Sequence, residues 1–166
     1  MSGVGVRRAK PGDAEAIADV HAAAIRERGA GYDERELRAW LANVHPERYP
    51  IGEREAGIDV LVAERDDRIV GFGWLDRDPA ERDESTAEIV AVYVRPDAVR
   101  EGIGTAILER LEGIAREAGL AELVLVASKN AIDFYRTRGY DPDETVALEM
   151  TADVSLAGLR MRKQLP

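Results

Sequence analysis

A chain of 166 residues, 45% of them hydrophobic, can bury one substantial core, and it reads as a single domain over residues 1–166. The absence of cysteine excludes disulfides, thiolate metal sites and a cysteine nucleophile, and a formal charge of −9 disfavours nucleic acid and anionic membrane as partners. No apolar run approaches the ~20 residues that span a bilayer, and MSGVGVRRAKPGD lacks the apolar centre of a signal peptide, so a soluble, cytoplasmic protein is expected.

Residues 4–8 read as a first strand, followed by a turn and cap signal at Pro11-Gly12-Asp13. From Ala14, the residues Ile17, Val20, Ala24 and Ile25 recur at helical spacing and predict a helix that stops near Gly29 or Gly31. His21 falls on this helix, where a lone histidine reads as structural or solvent-exposed rather than catalytic. A second helix covers Tyr32 to Trp40, with Asp33 as N-cap and Glu36 placed to complete a capping box. Pro46, Pro50, Gly52 and Gly57 make residues 45–57 a loop, and His45 and Tyr49 are pocket candidates on it. Ile58–Arg65 and residues 69–76 are two strands joined by Asp66-Asp67-Arg68. Residues 79–85 form an acidic loop.

The chain is organised around residues 86–119. Residues 89–94 are apolar and rich in β-branched side chains. Strict alternation puts Ile89, Ala91 and Tyr93 on one face and Val90, Val92 and Val94 on the other. Both sets are apolar, which predicts a central strand covered on both sides. Pro96 ends it. The loop Arg100-Glu101-Gly102-Ile103-Gly104-Thr105 leads into a helix marked by Ile103, Ile107, Leu111, Ile114 and Ala118, with Gly119 as its stop. A glycine loop feeding a helix N-terminus presents unpaired N–H groups and the positive end of the helix dipole, which suits an anion such as phosphate. The dinucleotide fingerprint needs a third glycine where Ile107 stands, and the triphosphate loop needs Gly-Lys-Ser or Gly-Lys-Thr, which does not occur. The loop alone also fits a plain tight turn. Beyond it, residues 121–128 read as a buried strand, residues 130–138 as a short helix stopped by Gly139, and residues 145–150 and 156–163 as a late hairpin.

Two blocks carry a family resemblance. Val94-x-Pro96 followed by Gly102-Ile103-Gly104-x-x-Ile107-Leu108 resembles the acyl-CoA loop of the GNAT N-acetyltransferase superfamily. Asn130-Ala131-x-x-Phe134-Tyr135-x-x-x-Gly139-Tyr140 is similar to that family's helix beside the cofactor thiol. The opening V-R-x-A-x-P-x-D, the hairpin V-A-E-x-D-x-x-I-V-G-F-G-W-L and the ending Met161-x-Lys163-x-Leu165 agree with it. The second helix, Y-x-x-x-x-L-x-A-W, resembles a subset of the family. The resemblance implies an α/β fold: a mixed, mostly antiparallel sheet of six or seven strands, splayed at its centre between residues 88–95 and 122–128, flanked by about four helices.

The same resemblance implies roles. Backbone groups of Val92, Tyr93 and Val94 would pair with the pantetheine arm of acetyl-CoA, and the loop from Arg100 through Glu101, Gly102, Ile103 and Gly104 to Thr105 would take the pyrophosphate. Val99 stands where the family usually has Gln or Arg, and Arg100 could supply the charge instead. Asn130 would contact pantetheine; it also reads as the N-cap of its helix. Tyr135 would protonate the leaving thiolate, since a phenol with pKa about 10 suits that task; otherwise it is a core aromatic, as Phe134 is. Glu88, fourteen residues before Gly102, is the candidate base, or else an edge carboxylate facing solvent. Tyr32 and Trp40 would line the acceptor, or simply pack the helix on the sheet. The implied activity is acetyl transfer to a primary amine of a small molecule or peptide, without a metal, in a possible homodimer. A non-catalytic acyl-CoA-binding module is the alternative, and a nucleotide-binding protein a third.

Overall fold

The structure, a computed structural model, describes residues 3–27, 31–79 and 82–166. Seven strands form one sheet: β1 (Gly5–Arg8), β2 (Ile58–Arg65), β3 (Arg68–Asp76), β4 (Thr86–Val94), β5 (Glu122–Ala127), β6 (Asp141–Thr151) and β7 (Val154–Gln164). Their spatial order is β1-β2-β3-β4-β5-β7-β6. Every contact is antiparallel except β4 with β5. The helices are α1 (Ala14–Glu27), α2 (Glu34–Leu41), α3 (Ile103–Glu117) and α4 (Ile132–Thr137). This is the mixed, open, mostly antiparallel sheet that the sequence implies.

The parallel contact follows from the crossover. A β4–α3–β5 connection returns the chain to the same end of the sheet, so the strands run together and α3 covers one face. Ile103, Ile107, Leu108 and Leu111 of α3 are each at most 2% exposed, and burying them contributes about 2 kcal/mol apiece. They pack on Leu61, Ala63, Val92 and Leu125. A Cβ at Gly73 would lie 2.4 Å from Ile107 Cγ2, so only glycine lets α3 settle this close to β3. On the opposite face, Ile17, Ala18 and Val20 of α1 pack on Val60, Val62 and Phe72.

The sheet splits between β4 and β5. Their ladder runs from Thr86 opposite Glu122 to Ile89 opposite Leu125 and stops there. At that point Ile89 faces Leu75 on β3 while Ala91 faces Trp74, so Val90 is an extra residue, a β-bulge. The bulge corrects the expected alternation. Ile89 shares its core with Val92, whereas Ala91 and Tyr93 pack on the α1 side. Val90 itself is 42% exposed rather than covered. A bulge bends and twists its strand, and β4 leaves β5 here.

Other boundaries shift for local reasons. The β2–β3 turn is the pair Asp66 and Asp67, both at positive φ (54° and 62°), and Arg68 already belongs to β3. The Asp33–Glu36 capping box forms as expected, with the Glu36 N–H donating to Asp33 at 2.8 Å and the Asp33 N–H to Glu36 at 2.9 Å. Of the two predicted stops of α1, Gly29 lies outside the described residues, as does part of the acidic loop, and Gly31 takes left-handed backbone at φ 94°. Strand β6 begins earlier than expected, at Asp141. It tolerates Pro142 because it is an edge strand with an irregular register between Pro142 and Thr145. Helix α4 starts at Ile132, with Ala131 as its N-cap position and Asn130 immediately before it.

Candidate active site

A cavity of about 490 Å³ opens where the sheet splits. Its walls are Val92 and Val94 of β4, most of the segment from Pro96 to Thr105 (all but Asp97 and Glu101), Asn130 and Ala131, Phe134, Tyr135 and Arg138, with Ala24 and Glu27 from α1 on one side. The stretch between β4 and α3 starts as a short 3-10 turn, Pro96–Ala98, anchored by fully buried Ala98. Arg100 (φ 66°) and Gly102 (φ 79°) then both take left-handed backbone. Alternation of this kind turns successive N–H groups into one concavity. The concavity is continuous with the N-terminus of α3, whose N-cap Gly102 offers no side-chain cap and whose first turn carries no acidic residue. The positive end of a 15-residue helix is therefore not neutralised by its own side chains.

Arg138 adds a full positive charge to the same wall. Its Nε and Nη2 donate to Thr105 Oγ1 at 2.8 and 2.6 Å, and its Nη1 donates to the Phe134 carbonyl at 2.8 Å. The guanidinium lies 3.9 Å from the centre of the Phe134 ring. A Cβ at Gly104 would meet that ring at 3.2 Å, so the glycine allows the loop to rest against α4.

A second, smaller cavity of about 30 Å³, roughly one water molecule in size, sits in the split itself. It is lined by residues 89–93 of β4, residues 125–127 of β5 and Ser128 just after it. Val92, Ala131 and Tyr135 border both cavities. Tyr135, 6% exposed, thus stands at the junction. The buried Ser128 Oγ also borders the small cavity and has no hydrogen-bond partner among the described residues.

The structure brings together most of the residues singled out from the sequence. Val92, Val94, Arg100, Gly102, Ile103, Gly104, Thr105, Asn130 and Tyr135 line the large cavity, and Tyr93 lines the small one. Four residues line neither cavity. Glu101, 48% exposed at its side chain, pairs with Arg65 Nη1 at 2.7 Å. Glu88 lies opposite Asp76 and Val124, one residue before the ladder ends. Burial pushes its carboxyl pKa up; Arg82 opposes this and Asp76 adds to it. Tyr32 and Trp40 pack edge to face at 5.6 Å in a buried cluster with Ile25 and Leu156. The Tyr32 hydroxyl accepts from the Lys129 N–H at 3.0 Å and donates to the Ala157 carbonyl at 3.3 Å. On the α1 face, His21 Nδ1 and the Tyr49 hydroxyl are 2.9 Å apart, and Tyr49 is buried against Phe72.

Arg138, Glu27 and Ser128 were not singled out from the sequence. For Arg138 a signal exists: four residues after Phe134 on a helix, it is placed to stack on that ring. Glu27 and Ser128 carry none, because only tertiary packing brings their elements to the cavity.

The fold and this site define an α/β protein with an uncapped helix N-terminus at the mouth of a split, partly parallel sheet. The sequence pattern of the acetyltransferase (GNAT) family matches residues 18–140, and the chain belongs to that family. It is 32% identical over 120 residues to phosphinothricin N-acetyltransferase of Alcaligenes faecalis; that match covers 69% of the chain and 55% of the relative, so the chain spans little more than half the relative's length. A GCN5-related N-acetyltransferase from Rhodopseudomonas palustris has a similar structure, with a TM-score of 0.83, 29% identity and coverage of 99% and 98% of the two chains. The PaiA N-acetyltransferase of Thermoplasma acidophilum, in complex with coenzyme A, shares the fold at a TM-score of 0.79 and 21% identity, with 98% and 99% covered.

Proposed function

We propose that this protein transfers the acetyl group of acetyl-CoA to a primary amine of a small molecule or peptide, by direct attack within a ternary complex. The observation that carries this reading is the place of Tyr135, between an anion cradle and a gap in the sheet. The Thermoplasma relative holds coenzyme A in the same fold, and the Alcaligenes relative is by its name an N-acetyltransferase. The Y-x-x-x-x-L-x-A-W pattern of the second helix supports membership of the subset that shares it.

In this reading the N–H groups from Arg100 to Thr105, with Arg138, hold the pyrophosphate. The β4 backbone at Val92, Tyr93 and Val94 pairs with the pantetheine arm, and Asn130 contacts it. The thioester carbon then lies beside Tyr135. The amine nitrogen forms its bond to that carbon as the carbon–sulfur bond breaks. The departing thiolate takes the Tyr135 proton, and the ammonium proton leaves through water to Glu88. The raised pKa of Glu88 strengthens it as a base.

Calorimetric titration with acetyl-CoA, CoA and ATP, followed by thiol release with a panel of amines, tests the reading. Micromolar acetyl-CoA binding, no ATP binding and a loss of about 100-fold in kcat for Tyr135→Phe are expected. Binding without turnover on any amine would favour an acyl-CoA-sensing module instead.

A further inference from the structure

Three polar side chains that this chemistry leaves unused meet beneath α4. Tyr140 is 0% exposed, and its hydroxyl donates to Glu112 Oε2 of α3 at 2.7 Å. Lys163 Nζ, on β7, donates to the same oxygen at 3.0 Å and to the Arg138 carbonyl at 2.9 Å. Glu112 is 6% exposed. Lys163 reaches it by crossing Gly139, where a Cβ would lie 3.4 Å from Lys163 Cε. Gly139 also holds φ at 94°, which turns the chain from α4 towards Tyr140.

Packed hydrophobic side chains often stabilise a core as well as a buried ion pair does. The arrangement therefore calls for a reason beyond stability, and its neighbours supply one. With its hydroxyl tied to Glu112, the Tyr140 ring has one orientation. The Tyr135 ring stands edge-on to it, 5.7 Å away at 71°. Phe134 is edge-on to Tyr135 at 5.1 Å, and Arg138 covers Phe134. The bond from Lys163 to the Arg138 carbonyl fixes the last turn of α4 from below. One connected set of contacts thus runs from a buried carboxylate to Tyr135 on α4 and to Arg138 just past its end.

We propose that Glu112, Tyr140 and Lys163 are positioning residues, which set the orientation of Tyr135 at the junction of the two cavities. This rests on the reading of Tyr135 as the proton donor. A donor held loosely spends less time in line with the sulfur, and small misplacements of a reacting group cost rate rather than ground-state binding.

The test is a double-mutant cycle of Tyr140→Phe with Tyr135→Phe, read as kcat and as KM for acetyl-CoA. Tyr140→Phe keeps the ring and removes its tie. It should lower kcat about 10-fold with the acetyl-CoA KM within about 2-fold, and in the Tyr135→Phe background it should lower kcat no further. A purely structural role would lower both backgrounds alike, and that result, or an unchanged kcat, overturns the proposal. If Tyr140→Phe does not fold, Glu112→Gln replaces it in the same cycle with the same criterion. Tyr135→Phe with unchanged kcat would remove the proton-donor reading and this inference with it. A Tyr135 effect that simply multiplies with the Tyr140 effect removes this inference alone.

Discussion

Replacing Arg138 by methionine separates a ligand contact from a brace. The guanidinium has five N–H groups. Three are engaged within the protein, two on Thr105 Oγ1 and one on the Phe134 carbonyl. One N–H on each terminal nitrogen remains for a ligand in the cavity that Arg138 lines. A hydrogen bond to a charged group is worth about 1.5–3 kcal/mol, or roughly 10- to 150-fold in affinity. Methionine keeps the stem against Phe134 and deletes the charge. Calorimetric titration should therefore show acetyl-CoA binding weakened by about 10- to 30-fold, with a shallower dependence on salt. The free variant should also melt a few degrees lower, because the tie between α4 and α3 contributes about 1–2 kcal/mol. A lower melting temperature with unchanged affinity would refute the reasoning, leaving Arg138 as a brace only.

Three further outcomes are expected. Because burial raises the carboxyl pKa of Glu88, the acid limb of kcat/KM should lie above the ordinary carboxylate range, and Glu88→Gln should abolish that limb; a pH–rate profile measures it. The same shift has a stability consequence of definite sign: the folded state holds the Glu88 proton more tightly than the unfolded state, so wild-type stability falls as pH rises from the ordinary carboxylate value through the raised one. Glu88→Gln should accordingly melt higher than wild type at neutral pH, with the difference closing on acidification. Asp59, whose side chain is 0% exposed, accepts from Arg8 at 2.6 Å and Arg77 at 2.8 Å. Asp59→Ala should cost about 2–3 kcal/mol in a denaturant titration, the lower end for a broken buried pair because both arginines can rehydrate, with acetyl-CoA affinity unchanged.

Much of the site was legible because its signals are local. Glycine at positive φ, a helical apolar period and a capping box are each set by a few neighbouring residues, and the β4–loop–α3 unit and α2 formed as read. The bulge at Val90 was not legible. In the run from Ile89 to Val94 both phases of the alternation are apolar, so inserting one residue changes the face of every later side chain without changing the pattern. Glu112, 6% exposed on α3, carries no local signal of its role. Its burial depends on Lys163, 51 positions away, which no local reading joins to it.

The split has a mechanical side. Four residue pairs, from Thr86–Glu122 to Ile89–Leu125, join two plates, β1–β4 and β5–β7–β6. A seam that short is expected to be the most compliant line in the sheet, and an extended molecule lying along β4 beyond it would bridge the two plates. Occupancy would then stiffen the whole sheet: amides at the ends of β4 and β5 should exchange with solvent as one group, and slow together once the gap is filled.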